Sequence, residues 1–233
     1  MKLETLRELN AERAARRPAI LITDTESGEQ RLVKARDFAD DPLCDELEKQ
    51  LRMGKSATIE VDGRKLFLNV YAPTARMVII GAVHISQALA PLARLLGYDV
   101  TVVDPRTAFA SPERFPDVPL IAEWPDVALP PLNVDRYTAF IALTHDPKID
   151  DPALLHAFER DCFYIGALGS RKTHAKRGER LRAQGVLESD IARIHAPIGL
   201  PIGAVSPSEI AVAIMAEITA QLRLPPKEKE AAA

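Results

Sequence analysis

Residues 77–86, MVIIGAVHIS, carry the pattern that decides the fold. Four consecutive apolar residues predict a buried β-strand, Gly81 predicts a tight turn after it, and Ser86 to Leu96 has the apolar spacing of a helix. Gly97 is expected to end that helix, and a second apolar strand follows from Asp99 to Val103. This order of strand, turn, helix and strand indicates two parallel strands joined by a crossover helix.

The alternation of strands and helices continues along the chain. We predict strands at Tyr137–Leu143 and Phe163–Gly166, and helices at Pro152–Arg160, at Lys172–Gln184 and from Ser206 onward. Because parallel strands need crossover connections, the expected fold class is α/β, a Rossmann-like parallel sheet with helices on both faces.

The sequence before Pro73 has a different pattern, which predicts a small α+β N-terminal domain. A strand is expected at Ala19–Thr23, a helix at Asp41–Met53, and a hairpin around Asp62-Gly63. The predicted domains are residues 1–72, the Rossmann-like domain at 73–224, and a disordered tail at 225–233.

Composition excludes several classes of protein. The 233 residues carry a formal charge of −3, with 47% hydrophobic and 27% charged residues, as in ordinary globular domains. No apolar run is long enough for a membrane span, and Met1 to Arg17 has no apolar signal core. Cys44 and Cys162 are too far apart for a structural zinc motif or a disulfide framework, so we expect a cytoplasmic protein. The near-neutral charge favours neither nucleic acid nor an anionic membrane as partner.

Candidate binding residues lie where the predicted strands end. In open parallel sheets, ligands bind outside the carboxyl ends of the strands. Any one of these loops could be an ordinary polar loop, but several on one edge indicate a ligand site. The candidates are Gly81, His84, Asp104, Arg106, Thr144, His145, Asp146, Gly166, Gly169, Ser170, Arg171, Lys172, Gly199 and Gly203.

The first loop raises the question of a dinucleotide cofactor. Asp104 ends the second strand 23 residues after Gly81, near the spacing of a ribose-binding acid. However, the chain has Val83 where the fingerprint has its second glycine, which lets the backbone approach a pyrophosphate. An NAD(P)-dependent oxidoreductase is therefore the alternative interpretation, and Asp104 could equally hold Arg106 or cap a turn.

The loop from Gly166 to Lys172 has the features of an anion cradle. Two glycines allow backbone N–H groups to face one concavity, and the following helix contributes its positive end. Six Lys or Arg residues against one Glu lie between Arg171 and Arg182. The alternative is a solvated basic helix face; nucleic-acid binding is disfavoured because no aromatic residues are interleaved with the charge.

Three histidines, His84, His145 and His174, are expected near the same edge. Their spacing is not that of a metal site, so we predict no bound metal. The sequence contains no recognisable nucleophile with its base and no paired carboxylates, so we expect no catalytic turnover.

With these loops identified, the chain resembles the XdhC/CoxI family of accessory proteins over residues 75–222. The segments that carry the resemblance are Val78 to Leu89, Val102 to Arg106, Leu143 to Asp146, Tyr164 to Lys172, Pro197 to Ala204 and Ser206 to Glu217.

The resemblance implies a cytoplasmic chaperone that binds the molybdenum cofactor, assists its sulfuration and inserts it into a molybdenum hydroxylase such as xanthine or carbon-monoxide dehydrogenase. That cofactor is a phosphorylated pterin (molybdopterin). The resemblance therefore implies that the anion cradle binds its phosphate and that Thr144, His145 and Asp146 contact its pterin ring. The implied partners are the molybdenum hydroxylase apoenzyme, a sulfurtransferase and, in a homodimer, a second copy.

The N-terminal domain departs from the family pattern. The family has a Gly-Ser-x-Pro-Arg element, which is absent here, and a Gly-Gly-Cys-x-Glu element, to which Cys44-Asp45-Glu46 is only loosely similar. A thiolate at Cys44 would lie at a helix start, where it is stabilised; an inert, half-buried cysteine is the alternative. A third interpretation of the whole chain is a docking module that recognises the molybdoenzyme without binding a cofactor.

Overall fold

The structure is a computed structural model that describes residues 1–225. The chain divides into two units, one formed by Met1–Pro73 with the chain end from Arg223, the other by Thr74–Leu222. From position 226 on, the predicted tail lies outside the described residues. Each unit is built around its own sheet.

The first unit contains a four-stranded antiparallel sheet. Its elements are α1 (Leu3–Ala14), β1 (Ala19–Asp24), β2 (Gln30–Lys34), a 3₁₀ helix (Ala35–Asp40), α2 (Cys44–Met53), β3 (Ala57–Val61) and β4 (Arg64–Tyr71). The strand order is β2-β1-β4-β3, and β3 and β4 form the hairpin predicted around Asp62-Gly63. The core is apolar and includes Ile20, Leu68 and, from α2, Leu47. Neither β2 nor the 3₁₀ helix was predicted from the sequence.

The second unit contains a six-stranded sheet. Its elements are β5 (Arg76–Ile80), α3 (His84–Leu95), β6 (Asp99–Val103), β7 (Leu120–Ile121), α4 (Pro125–Ala128), a 3₁₀ helix (Pro130–Leu132), β8 (Thr138–Ala142), α5 (Pro147–Glu159), β9 (Tyr164–Ala167), α6 (Arg171–Ala183), α7 (Glu188–Ile191), β10 (Ile194–His195) and α8 (Pro207–Arg223). The strand order is β10-β9-β8-β5-β6-β7, and every pairing is parallel. This is the doubly wound strand order of a Rossmann sheet. From β5 the chain first adds strands on one side (β6, β7) and then on the other (β8, β9, β10), so the strand order reverses between β5 and β8.

Alternate residues of the strands build two cores, one on each face of the sheet. Met77 and Ile79 of β5 pack with residues of α3 and α8, whereas Val78 and Ile80 pack with residues of α5 and α6. Both faces of a parallel sheet must be covered because its strands are apolar on both sides. The predicted α/β class, with helices on both faces, is confirmed.

Some boundaries differ from the sequence prediction. Helix α5 begins at Pro147 rather than Pro152, because the side chain of Asp146 accepts a hydrogen bond from the backbone N–H of Lys148 and caps the helix. The edge strands β7 and β10 have two residues each, which is too short for a recognisable alternation. Within residues 1–225, no helix is both long and apolar enough to cross a membrane.

Candidate functional site

The carboxyl edge of the parallel sheet carries the predicted binding residues. All six strands run in the same direction, so the loops after β5, β6, β8, β9 and β10 meet at one edge. Because β9 lies between β8 and β10, the loop at residues 168–170 has the loop at 143–146 on one side and the loop at 196–206 on the other. His84, Arg171 and Lys172 are at the starts of helices on this edge.

Asp104, directly after β6, is fully buried and completely hydrogen-bonded. Its Oδ1 accepts from the backbone N–H and the Nε of Arg106, both at 2.9 Å; its Oδ2 accepts from Nη2 of Arg106 at 2.7 Å and from the N–H of Ala82 at 2.8 Å. A carboxylate has about four lone-pair sites, so no acceptor is left for a ribose hydroxyl. The geometry therefore disfavours the dinucleotide interpretation, and Asp104 instead ties the Gly81 turn to the loop after β6.

Replacing Asp104 by asparagine should flatten the acid dependence of stability. Burial alone would raise the pKa of Asp104, but hydrogen bonds from Arg106 and Ala82 outweigh burial and lower it. Because the folded pKa lies below the unfolded value, ionised Asp104 stabilises the fold above about pH 4, and this is lost as pH falls through the folded pKa. Urea denaturation at several pH values should show that the free energy of unfolding falls less between about pH 7 and about pH 3 for Asp104→Asn than for the wild type. Asp99→Asn, which changes an exposed carboxylate at the other end of β6, is the control. Parallel profiles for all three proteins would contradict the prediction.

The loops after β5 and β8 touch at the point where the strand order reverses. Gly81 has a φ of +114°, and a Cβ there would lie 3.0 Å from Cγ2 of Thr144. Behind this contact, Asp150 of α5 accepts from the Thr144 hydroxyl at 2.6 Å and from the His145 N–H at 3.1 Å. His145 is exposed at the edge, whereas the Asp146 carboxylate is engaged as the cap of α5. Of the side chains predicted to contact the pterin ring, His145 is thus the most available.

The loop between β9 and α6 forms the predicted cradle in part. Ser170 caps α6, because its hydroxyl accepts a hydrogen bond from the N–H of Thr173 at 3.2 Å. Arg171 and Lys172 are the first two residues of the helix, so their backbone N–H groups have no intrahelical acceptor. Both side chains are exposed. Gly166, predicted as the first residue of this loop, lies instead inside β9, where a Cβ would be 2.5 Å from Cδ1 of Ile198. The position at Gly166 is therefore filled by packing, not by a ligand.

A buried cation lies directly behind the cradle. Arg177 is 2% exposed and donates from Nη2 to the carbonyl of Leu168 at 2.9 Å. Within residues 1–225, its Nε and Nη1 have no hydrogen-bond partner. Burial lowers the pKa of Arg177, and the opposite charges of Asp150 and Asp151 counteract part of that effect. The sequence does not single out Arg177, because it is one of several basic residues on α6 and nothing in the local pattern indicates that it is buried.

A second polar network, which was not predicted from the sequence, is centred on Glu217 of α8. Its Oε2 accepts from the Tyr164 hydroxyl at 2.5 Å and from the N–H of Gly199 at 2.8 Å, and its Oε1 is 3.1 Å from Nδ1 of His195. The rings of Tyr164 and His195 stack at 4.6 Å. The available signal was a carboxylate at helical spacing from the apolar core residues Ala213 and Ile214.

Glu217 lines an open cleft of about 670 Å³. Arg171 of α6 and the loop before α8, including Gly199 and Gly203, also line it. Gly199 has a φ of +92°, and a Cβ there would be 3.1 Å from the backbone of Ala213, so only glycine permits this close approach of loop and helix. The volume is that of a small-molecule pocket.

The chemistry expected at Cys44 differs from the sequence hypothesis. Cys44 is the first residue of α2, but partial burial and the carboxylates of Asp45, Glu48 and Asp41 raise the pKa of its thiol. Burial first, and then the neighbouring carboxylates, disfavour the thiolate, which favours the inert, half-buried cysteine over the stabilised thiolate. Within residues 1–225, no three His, Cys, Asp or Glu side chains are grouped as a metal site would require.

Comparisons with known proteins agree with this architecture. Residues 77–218 match the family model of the XdhC Rossmann domain. The uncharacterized protein YqeB of Escherichia coli K12 is 37% identical over 155 residues, which cover 66% of this chain and 28% of YqeB. The molybdenum cofactor insertion chaperone PaoD of the same strain is 32% identical over 158 residues, covering 68% of this chain and 43% of PaoD.

Two further relatives complete the comparison. A protein of Bacillus subtilis 168 that is named as a probable component of xanthine dehydrogenase is 32% identical over 154 residues, covering 66% of this chain and 44% of that protein. A solved structure described as a xanthine dehydrogenase from Bacillus halodurans shares the fold, with a TM-score of 0.59, 20% identity, and coverage of 99% of this chain and 82% of that one. The matched region spans less than half the length of the curated relatives. Because the family model covers more than half of the residues, the chain belongs to the family defined by the XdhC Rossmann domain.

Proposed function

We propose that this protein binds the molybdenum cofactor at the carboxyl edge of its parallel sheet, assists its sulfuration, and inserts it into a molybdenum hydroxylase such as xanthine or carbon-monoxide dehydrogenase. In this role it is a cytoplasmic chaperone and not an enzyme. Its partners are the apoenzyme, a sulfurtransferase and, in a homodimer, a second copy of the chain. The name of the relative PaoD supports insertion of the cofactor as the shared task.

One observation carries the proposal: the start of α6 gathers positive charge around a loop with free donors. The exposed Arg171 and Lys172 begin the helix, and the buried guanidinium of Arg177 lies behind the loop with two donors, Nε and Nη1, that have no partner among residues 1–225. Helix N-termini and arginine donors are the groups that proteins use for phosphate. The residues present therefore fit a phosphorylated ligand.

Each residue has a defined task in this proposal. Ser170, Arg171 and Lys172 hold the phosphate, with Gly169 allowing the loop to turn at a φ of +130°. His145, exposed on the neighbouring loop, is placed to contact the part of the cofactor that lies on the β8 side of the cradle. When bound, the cofactor supplies molybdenum and its sulfur ligands to the acceptor enzyme, and this chain only binds, orients and releases it.

The double variant Arg171→Ala/Lys172→Ala should bind the cofactor roughly tenfold more weakly or worse, because it loses two charge-assisted contacts. The measurement is the dissociation constant of the molybdenum cofactor for the purified chain, together with activity of the matured target enzyme. Lys176→Ala/Arg182→Ala removes the same charge further along α6 and should bind normally.

Two results would contradict the proposal. Unchanged cofactor binding and maturation in the Arg171 and Lys172 variant would eliminate the cradle, and lost maturation with unchanged binding would favour the docking module. Titration of the wild type with NADH and NADPH tests the oxidoreductase alternative, for which tight binding without bound pterin is the diagnostic result.

A further inference from the structure

Glu217 presents a fixed, ionised carboxylate in the wall of the cleft. Burial would raise the pKa of Glu217, but hydrogen bonds from His195, Tyr164 and Gly199 together lower it. Its side chain is 17% exposed, so it is held from behind while part of it stays open to the cleft. The group is therefore a rigid hydrogen-bond acceptor that cannot easily become a donor.

Glu217 has acceptor capacity to spare. Oε2 accepts from two donors, Tyr164 and Gly199, whereas among the described residues Oε1 is bonded only to His195. Since each carboxylate oxygen has about two lone-pair sites, Oε1 can accept one more hydrogen bond. An N–H group of a ligand in the cleft could donate this remaining hydrogen bond to Oε1.

The other groups of the cleft complement this acceptor. Arg171 supplies an exposed cation, and Ile198, Ile210 and Ala213 supply apolar surface. The cleft thus combines a cation, an apolar wall and an anionic acceptor. This combination suits a flat heterocycle with an acidic substituent and an edge of N–H donors.

We propose that Glu217 recognises the 2-amino-4-oxo-pyrimidine edge of the pterin, while Arg171 binds the acidic substituent of the same molecule. The inference rests on the proposed function, which makes a pterin the ligand. In that edge the 2-amino group is an N–H donor. The one free acceptor site of Oε1 can take it, whereas Oε2 is already filled by Tyr164 and Gly199. Glu217 is accordingly a specificity-determining residue.

A matched pair of small probes tests this assignment. Pterin-6-carboxylate has the 2-amino group, and lumazine-6-carboxylate has a carbonyl oxygen in its place, which a carboxylate repels. Both have the same acidic substituent for Arg171. Fluorescence titration of the full wild-type chain should show that the pterin binds roughly tenfold more tightly or better than the lumazine, since a site built for a donor rejects its absence.

In Glu217→Gln this preference should fall to about twofold or less, because the neutral amide no longer repels the carbonyl. The ratio of the two affinities does not depend on how much of the variant is folded. Glu188→Gln makes the same chemical change at an exposed carboxylate that does not line the cleft, and it should keep the preference. Guanosine 5′-monophosphate shares the recognised edge and is titrated in parallel.

The possible outcomes separate the two proposals. No pterin preference in the wild type, or an unchanged preference in Glu217→Gln, would each overturn the role of Glu217. Tighter binding of the guanine nucleotide than of the pterin would overturn the assignment of the pterin to this cleft. The proposed function stands in those cases if the intact molybdenum cofactor still binds. It fails, with this inference, if neither the cofactor nor the pterin probe binds.

Discussion

Replacing Asp150 by alanine should lower the free energy of unfolding by about 3–5 kcal/mol. Asp150 is 2% exposed and accepts hydrogen bonds from the hydroxyl and N–H of Thr144 and from the N–H of His145. Its charge also faces the buried guanidinium of Arg177. Alanine would leave these three donors unsatisfied in the interior and would remove one of the two carboxylates, Asp150 and Asp151, whose charges offset that of Arg177. Urea denaturation of both proteins measures the loss.

Two further variants show whether the buried charges are the cause. Asp150→Asn keeps the volume and an acceptor oxygen, so it should cost clearly less than alanine. Combining Asp150→Ala with Arg177→Met removes both charges, and the double variant should be about 0.5–3 kcal/mol more stable than the sum of the single effects predicts. Simple additivity would show that the two side chains do not stabilise each other.

The consequence for function follows from where the two side chains lie. Asp150 holds the loop of Thr144 and His145, and Arg177 holds the loop of Leu168. The two opposite charges interact through space, so they couple two neighbouring loops of the candidate site. We expect Asp150→Asn, although folded, to retain less cofactor than the wild type.

Much of the fold was predictable because local patterns agree with tertiary structure there. The apolar run at Met77, the glycine turn after it and the hairpin at Asp62-Gly63 each have a local physical cause. Helix α8 begins after a capping box, in which Glu209 accepts from the N–H of Ser206 at 2.8 Å and the hydroxyl of Ser206 accepts from the N–H of Glu209 at 3.3 Å. The short edge strands β7 and β10 were not predictable, because two residues acquire strand structure only from a neighbour in the sheet.

The candidate site was predictable in its position but not in its chemistry. Topology places the loop residues at one edge, and the sequence shows which residues follow the strands. Pairings across the fold do not appear in the sequence: Glu217 meets Tyr164 and His195 through contacts 53 and 22 residues apart. For Asp104, the bond to Arg106 was one of the alternatives that the sequence offered, and the structure shows it. The hydrogen bond from Ala82, 22 residues away, was not visible in the sequence.

Gly166→Ala should lower the free energy of unfolding by about 1–3 kcal/mol, a large effect for one methyl group. The new Cβ would lie 2.5 Å from Cδ1 of Ile198 and 2.8 Å from Cε1 of Tyr164. Neither neighbour can move freely, because Ile198 is 7% exposed and Tyr164 is stacked on His195 and bonded to Glu217. Thermal or urea denaturation gives the size of the loss.

The same substitution at Gly178 is the matched control. There the Cβ would approach only the flexible guanidinium of Arg182, at 3.3 Å, and alanine should stabilise the helix interior by up to about 1 kcal/mol. Opposite signs at the two glycines would show that Gly166 is required for packing and not for backbone flexibility. If Gly166→Ala is instead as stable as Gly178→Ala, Ile198 and Tyr164 do not confine this position.

Adding Ile198→Ala to Gly166→Ala tests the origin of the strain. The truncation removes Cγ1 and Cδ1, so the double variant should be more stable than the sum of the two single losses predicts. The close contact between the new Cβ at position 166 and the Tyr164 ring remains when Ile198 is truncated. The ring must still shift, and the Glu217 carboxylate, which is bonded to the Tyr164 hydroxyl, shifts as well. Because this displacement moves Glu217, we expect Gly166→Ala to weaken the preference for pterin over lumazine. The double variant should regain stability without regaining that preference, because stability depends on the volume at Ile198 and recognition on the position of Glu217.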